Sequence, residues 1–541
     1  MPRTHRRAIR AVALVAGAGV AIALAPGGTA NAAPAQKSCD NRTNTTVQAL
    51  LECVRAAGAV EHLEALQDIA DANGGTRAAG TPGYEESVDY VVDTLEAAGW
   101  DVSIDEFPFT YVGPSTLQQL TPVNATYPTG AFTGTGYGDV TGNVVPVDIN
   151  LTGDRATTSG CEPADFSGLD FSGPADIALI QRGGPPLPAP ACTFGVKAIN
   201  AEAAGAEAVI IFNQGNTPDR EALIIGTLGG PDVVDIPVVG ASFQQGVALA
   251  QPGSTAFVDV PLPESRPQKN VIAELPGVND DNVVMAGAHL DSVQAGPGIN
   301  DNGSGSASLL EIAQNMAKNK PQNTVRLAWW GAEEAGLLGS RAYVDGLSQA
   351  ERDRIALYLN FDMVASPNYI FMVYDGDESG FPAPAGVPIP EGSVQIEDLF
   401  ESYYTRAGEP YDDAQFSGRS DYQAFILAGI PAGGLFTGAE GVKTAEQAAI
   451  WGGTAGAQYD PCYHLACDTI ANIDEHALDV NIDAIAFAVL AYSYSTESVN
   501  GVPGKNVPGG LELPTPAGPE GSTGSGGGLA PDHDHGSTVA D

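Results

Sequence analysis

Positive charge is what this chain has least of. Its 541 residues carry 24 Lys and Arg against 66 Asp and Glu, a formal net charge of −42 at pH 7. A surface of that sign repels phosphate, which excludes nucleic acid and anionic membranes as natural partners. Cysteine is sparse as well. There are six, and no CxxC pair occurs, which excludes zinc-thiolate knuckles and thioredoxin chemistry. Only one apolar run could be mistaken for a membrane span, residues 11–25, and it falls short of the ~20 residues that cross a bilayer. It follows Arg3, Arg6, Arg7 and Arg10 and precedes Ala30-Asn31-Ala32. That order reads as an export signal, residues 1–33, and hence as a secreted protein.

What is there fits an oxidising compartment and a large core. Hydrophobic residues make up 43% of the chain, too many for a polypeptide disordered throughout. The even cysteine number, grouped along the chain as Cys39/Cys53, Cys161/Cys192 and Cys462/Cys467, reads as short-loop disulfides. Helical periodicity runs over residues 47–71 and 85–98, followed by a strand at 100–109. Between residues 112 and 267 that periodicity fades. Gly, Pro and Thr rise there, and short buried strands are expected at 142–146, 177–181, 208–212 and 236–239, with one helix at 194–204. From residue 268 to 497 strands and helices alternate, which predicts an α/β sandwich with a largely parallel or mixed sheet. Residues 498–541 are rich in Gly, Pro and Ser and are expected to be a disordered tail.

The chemistry lies in the alternating part. The expected strand 283–288 runs into His289 and Asp291, 325–330 into Glu333 and Glu334, and 355–361 into Asp362. An Asn/Gly-rich loop before a helix carries Asp301, and His464 sits between Cys462 and Cys467. In open α/β sheets, sites form beyond the carboxyl ends of strands, so these residues converge. Taken singly, each has a plain structural reading: a packed histidine, a turn aspartate, a solvated acid pair. Together they are two imidazoles and three carboxylates, a donor set without thiolate that suits Zn²⁺ and can hold two ions with one carboxylate bridging. Adjacent acids rarely share one role, so if Glu334 binds metal, Glu333 is left to take a proton from water.

These motifs are recognisable. His289-Leu290-Asp291-Ser292, Gly298-Ile299-Asn300-Asp301-Asn302-Gly303, Trp330-Gly331-Ala332-Glu333-Glu334, Asn360-Phe361-Asp362-Met363, Gly418-Arg419-Ser420-Asp421 and Asp460-Pro461-Cys462-Tyr463-His464 resemble the M28 family of dizinc aminopeptidases, especially the secreted streptomycete leucine aminopeptidases. The resemblance implies a three-layer α/β/α sandwich of the zinc-exopeptidase type, built from segments 34–111 and 268–497. It implies two Zn²⁺ per chain, one held by His289, Asp301 and Asp362, the other by Asp301, Glu334 and His464. Glu333 matches the general base and Tyr463 a residue that stabilises the tetrahedral intermediate. Arg419 matches a substrate-positioning residue, Phe436 the pocket wall for the first side chain, and Asp291 an acid that orients His289. Calcium is admitted as a further cation, though no EF-hand loop occurs. Substrates would be peptide or protein N-termini, with large apolar first residues such as Leu preferred, and the enzyme would act as a monomer.

Residues 112–267 depart from the compact streptomycete enzymes. Ile177-Ala178-Leu179-Ile180-Gln181-Arg182-Gly183 and Ala203-Ala204-Gly205-Ala206-Glu207-Ala208-Val209 resemble a protease-associated (PA) domain, inserted and carrying no catalytic residue. Other readings are an M28 carboxypeptidase or dipeptidase, a glutaminyl cyclase, and a binding protein of the same fold. A carboxypeptidase calls for basic residues at its pocket, and Arg419 is the only Lys or Arg in the catalytic motifs quoted above. The full ligand set argues against the other two.

Overall fold

In the computed structural model, residues 39, 42–173, 175–185, 192–217 and 220–519 are described. The expected export signal therefore lies outside the described residues, as do residues 520–541. After the helices Val47–Leu51, Ala56–Ala72 and Pro82–Ala98 come β1 (Asp101–Phe107) and β2 (Thr110–Tyr111). Next are β3 (Thr116–Thr121), β4 (Ala125–Tyr127), β5 (Gly138–Val147), β6 (Asp176–Gln181), β7 (Ala208–Phe212), β8 (Val238–Ala241) and β9 (Thr255–Val260). Then follow β10 (Glu264–Ser265), β11 (Gln268–Leu275), β12 (Asn279–His289), β13 (Asn323–Trp330) and β14 (Ile355–Phe361). The last strands are β15 (Met372–Tyr374), β16 (Asp412–Ala414) and β17 (Ala432–Phe436).

The larger sheet has eight strands in the order β1-β11-β13-β12-β14-β17-β15-β16. Its centre, β13-β12-β14-β17, is parallel, and antiparallel pairs lie towards both edges. The strands β12, β13 and β14 are almost wholly buried, as expected for a sheet covered on both faces. Trp329 and Trp330 make the three layers visible, because neighbours on a strand point to opposite faces. Trp329 Nε1 donates to Ser306 O of the helix Ser304–Met316 on one face, while Trp330 packs against Tyr343 and Phe425 on the other. The helix Glu475–Tyr494 is long and apolar enough to cross a membrane, yet it lies buried inside this core. The chain is thus a three-layer α/β/α sandwich with a mixed sheet.

Residues 116–260 form a second sheet of seven strands, order β4-β3-β9-β5-β6-β7-β8, with an apolar cluster on each side. β2 and β10 pair antiparallel, Tyr111 opposite Glu264 and Thr110 opposite Ser265, so the chain leaves and re-enters the larger body at adjoining points. The three cysteine pairs are all bridged: Cys39–Cys53, Cys161–Cys192 and Cys462–Cys467.

Two expectations need correction. The helical stretch from 47 to 71 is two helices, broken where Arg55 is extended (φ −150°, ψ 145°) next to Cys53, which is tied to Cys39. The tail is ordered at least as far as residue 519. Its apolar content is low, but Val507 is buried, Lys505 N donates to Tyr494 O, and Ser402 Oγ donates to Pro514 O at 3.0 Å. Backbone hydrogen bonds to the body hold this extended segment where side-chain burial could not.

Candidate metal centre

Three strand ends place four side chains of the centre. β12 terminates at His289, whose Nδ1 lies 3.1 Å from the backbone oxygen of Asp291. β13 terminates at Trp330, and the chain turns through Ala332, held in the left-handed region at φ 56°, to present Glu333 and Glu334. β14 terminates at Phe361, followed by Asp362 and by Met363 at φ 55°. His464, at φ 57°, lies in the ring closed by Cys462 and Cys467. Non-glycine residues in this region are strained and gather at functional sites.

The loop carrying Asp301 is pinned on all sides. Its backbone amide donates to Asp468 Oδ2 at 3.0 Å, and that of Asn300 donates to Asp468 Oδ1 at 2.9 Å. Asn300 Nδ2 donates to Asp460 Oδ2 at 2.7 Å, and Asn302 Nδ2 to Phe361 O at 2.8 Å. The following helix approaches β14 so closely that a Cβ on Gly305 would stand 2.2 Å from Phe361 O.

The result is a symmetric arrangement around Asp301. Its Oδ1 is 3.2 Å from His289 Nε2 and its Oδ2 is 3.3 Å from His464 Nε2. Asp362 Oδ1 lies 3.3 Å from His289 Nε2, and Glu334 Oε2 lies 3.0 Å from His464 Nε2. Glu333 Oε2 stands off at 3.9 Å from His289 Nε2. Two neighbouring metal-capable groups result, His289 with Asp362 and Glu333, and His464 with Asp301 and Glu334. Geometry alone therefore admits Glu333 as a ligand as well as a base. Asp362 Oδ1 and Glu334 Oε1 are buried and have no hydrogen-bond partner among the described residues. Buried carboxylate oxygens without donors are costly, and with an imidazole beside each carboxylate they fit cations.

The charges interact strongly. Burial pushes the Glu333 carboxyl well above its usual range, and Glu334 and Asp362 push it in the same direction. Burial raises Glu334 to about 7, with Asp301 adding to the shift. Burial opposes the charge on His464, but its contacts with Asp301 and Glu334 carry it to about 10. Asp301, despite burial, is held well below the usual carboxylate range by hydrogen bonds from both histidines.

The remaining expected residues surround this centre. Tyr463 stacks on His464 with ring centroids 3.8 Å apart, and its hydroxyl lies 3.4 Å from Arg419 Nη2. Arg419 Nη1 donates to Glu440 Oε1 at 2.6 Å. Phe436 closes β17, half-buried against the core. Asp291 has partners beyond His289. Its carboxylate lies 3.8 Å from His289 Nδ1 and also accepts the backbone amides of Glu333 (3.1 Å) and Glu334 (3.3 Å).

Sequence reasoning gave no role to Asp468, Ser420 and Glu440. Ser420 Oγ donates to Asp362 Oδ2 at 2.6 Å, and Asn360 Nδ2 holds that hydroxyl at 2.9 Å. Ser420 lies inside a quoted motif and Asp468 four residues beyond His464, which was the available signal. Glu440 lies in no motif.

A profile described as peptidase family M28 matches residues 270–489, and one described as PA domain matches residues 140–249. The chain is 49% identical over 465 residues to an aminopeptidase of Pseudomonas aeruginosa strain PAO1, covering 84% of each. It is 41% identical over 433 residues to the probable leucine aminopeptidase 2 of Aspergillus fumigatus, covering 78% of this chain and 80% of that one. Among solved structures it is similar to BSAP, a zinc aminopeptidase from Bacillus subtilis, at TM-score 0.57 and 26% identity over 81% of this chain and 94% of the other.

Proposed function

The chain belongs to peptidase family M28 and is an aminopeptidase, and we propose that it is a secreted, two-zinc enzyme releasing large apolar residues such as leucine from peptide and protein N-termini. The observation that carries the reading is the division of Asp301 between the two histidines, one oxygen to each. His289, Asp301 and Asp362 would hold one zinc, and Asp301, Glu334 and His464 the other. Bound zinc supplies a Lewis acid for the scissile carbonyl and lowers the pKa of water. The zinc aminopeptidase named among the similar structures and the leucine aminopeptidase among the relatives support metal and substrate. Three disulfides and the leader-like first 33 residues support export.

Glu333 takes the proton from the attacking water and returns it to the departing amine. Its carboxyl is set back from His289 at 3.9 Å, and burial raises its proton affinity, the direction in which a general base is tuned. Tyr463 directs its hydroxyl to the carbonyl oxygen as that oxygen gains charge, with Arg419 beside it. Arg419, fixed by Glu440, orients the substrate backbone, and Phe436 lines the pocket for the first side chain. The acids Glu333 and Asp362 favour a cationic α-amine, whereas a substrate carboxylate would meet Arg419 already paired.

Release rates from leucyl amide, leucyl peptides and N-acetylated peptides test the reading. Cleavage of the first bond, abolished by N-acetylation and indifferent to C-terminal amidation, is expected. Rapid hydrolysis of an N-acetylated peptide with a free carboxylate would replace the aminopeptidase by a carboxypeptidase.

A further inference from the structure

A second acidic cluster lies apart from the metal centre. Asp375 follows β15, Asp413 lies in β16, and Glu397 and Glu401 stand one turn apart on the helix Ser393–Ala407. All four are buried, Asp413 to 4% exposure and Glu397 to 3%, while Asp377 on the intervening loop is exposed. Ligand atoms of Glu397, Glu401 and Asp413 lie within 4.8 Å of one another, as do those of Asp375, Asp377 and Glu397. Two of these acids are well satisfied. Asp375 accepts the amides of Ser379, Gly380 and Phe381, and Glu397 Oε2 accepts those of Gly376 and Asp377. Asp413 is not: both of its oxygens are buried without a hydrogen-bond partner among the described residues, and one of them lies within 4.8 Å of ligand atoms of Glu397 and Glu401.

Burying an unpartnered carboxylate among like charges is among the costliest arrangements a fold can hold. A cation removes that cost. The donors are all carboxylate oxygens, with no imidazole or thiolate among them, which selects a hard ion over zinc. Glu397, Glu401 and Asp413 offer up to six oxygens, and exposed Asp377 leaves an entry path and room for water, in keeping with the six to eight oxygens calcium takes.

We propose that Glu397, Glu401 and Asp413, with Asp375 and Asp377 at their edge, form a calcium site. A bound ion would join β15, β16 and the helix Ser393–Ala407 into one cross-linked corner. That corner adjoins the substrate side, because Tyr374 packs against Tyr422, whose hydroxyl accepts the amide of Gly418 beside Arg419.

The test uses the full, zinc-loaded chain stripped of calcium by gel filtration. Equilibrium dialysis against Ca²⁺ and the thermal unfolding midpoint are recorded together. One calcium per chain and a midpoint rising with Ca²⁺ are expected. Asp413→Asn and, separately, Glu401→Gln should each weaken binding by ~10-fold or more. Asp353→Asn, at an exposed acid on the helix Gln349–Arg354, should leave binding unchanged. Wild-type protein that takes up no calcium at millimolar Ca²⁺ would overturn the proposal and leave the cluster sharing protons. So would undiminished binding in both cluster variants. The wild-type measurement stands even if a variant fails to fold.

Discussion

Asp291 Oδ1 accepts the backbone amide of Glu333 at 3.1 Å, and the same carboxylate reaches the amide of Glu334. One buried acid therefore fixes the peptide from which a metal-type ligand and the proposed base both project. Asp291→Asn would turn an acceptor into a donor facing an amide. A fall in kcat of ~10–100-fold is expected, with weaker zinc retention and little change in KM. Zinc content and steady-state rates on a leucyl amide measure it, and an unchanged kcat would refute this support role.

The two neighbours on that peptide should behave differently. Glu333→Gln keeps shape and hydrogen bonding but loses the base, so the rate should fall by ~10²–10⁴ with metal retained. Glu334→Gln should lose metal. If both variants retain zinc equally, the division of roles is wrong.

Chelation should abolish activity, and Zn²⁺ should restore it. His464→Ala should lower bound zinc and rate together, since its Nε2 sits between Asp301 and Glu334. Metal analysis of the same sample used for kinetics is the measurement, and full activity after exhaustive dialysis against chelator would end the zinc reading.

Stability should depend on pH through Glu311, buried in the helix Ser304–Met316. Burial pushes its carboxyl from 4.5 to about 7 in the folded protein, although the Arg55 amide donates to it at 3.2 Å. Below pH 4.5 both folded and unfolded forms are protonated, and the contribution is fully present. It is lost as pH rises through 7, where the folded form must carry a buried charge. Glu311→Gln should match wild type near pH 4.5 and exceed it at pH 8 by up to about 3 kcal/mol. Denaturant unfolding at the two pH values gives the difference, and an equal difference at both would exclude this group.

The seven-stranded module should be separable from turnover. Its flanks pair as β2 and β10, and no proposed site residue lies within it. Replacing residues 112–263 by a short linker should preserve hydrolysis of a small leucyl amide. A soluble, zinc-loaded deletion with no such activity would make the module part of the active site.

What the sequence made legible was set by local chemistry. The helix Phe194–Ala204 is found to the residue because Thr193 caps it and Gly205 ends it in the left-handed region. The centre was readable because each ligand ends a buried apolar strand or sits in a motif. β11 was missed because Gln268-Lys269-Asn270 breaks its apolar run, and β15 and β16 because three residues show no periodicity. The two amides that Asp291 accepts were not foreseen, because its position beside His289 in sequence says nothing of what reaches it from the turn after β13. The acidic cluster was invisible for a similar reason. Its members come from one short strand, the loop after another and a helix, and only the sheet order unites them.

Tyr463 and His464 occupy a small covalent ring, closed by Cys462 and Cys467 five residues apart. Half of the proposed centre therefore depends on an oxidation that precedes any catalysis. In a reducing cytosol the ring is open, those two residues regain backbone freedom worth ~1–2 kcal/mol each, and the second metal subsite loses its preset shape. On the proposed export, the ring closes in the oxidising medium in which the enzyme works, and the second subsite takes its shape there.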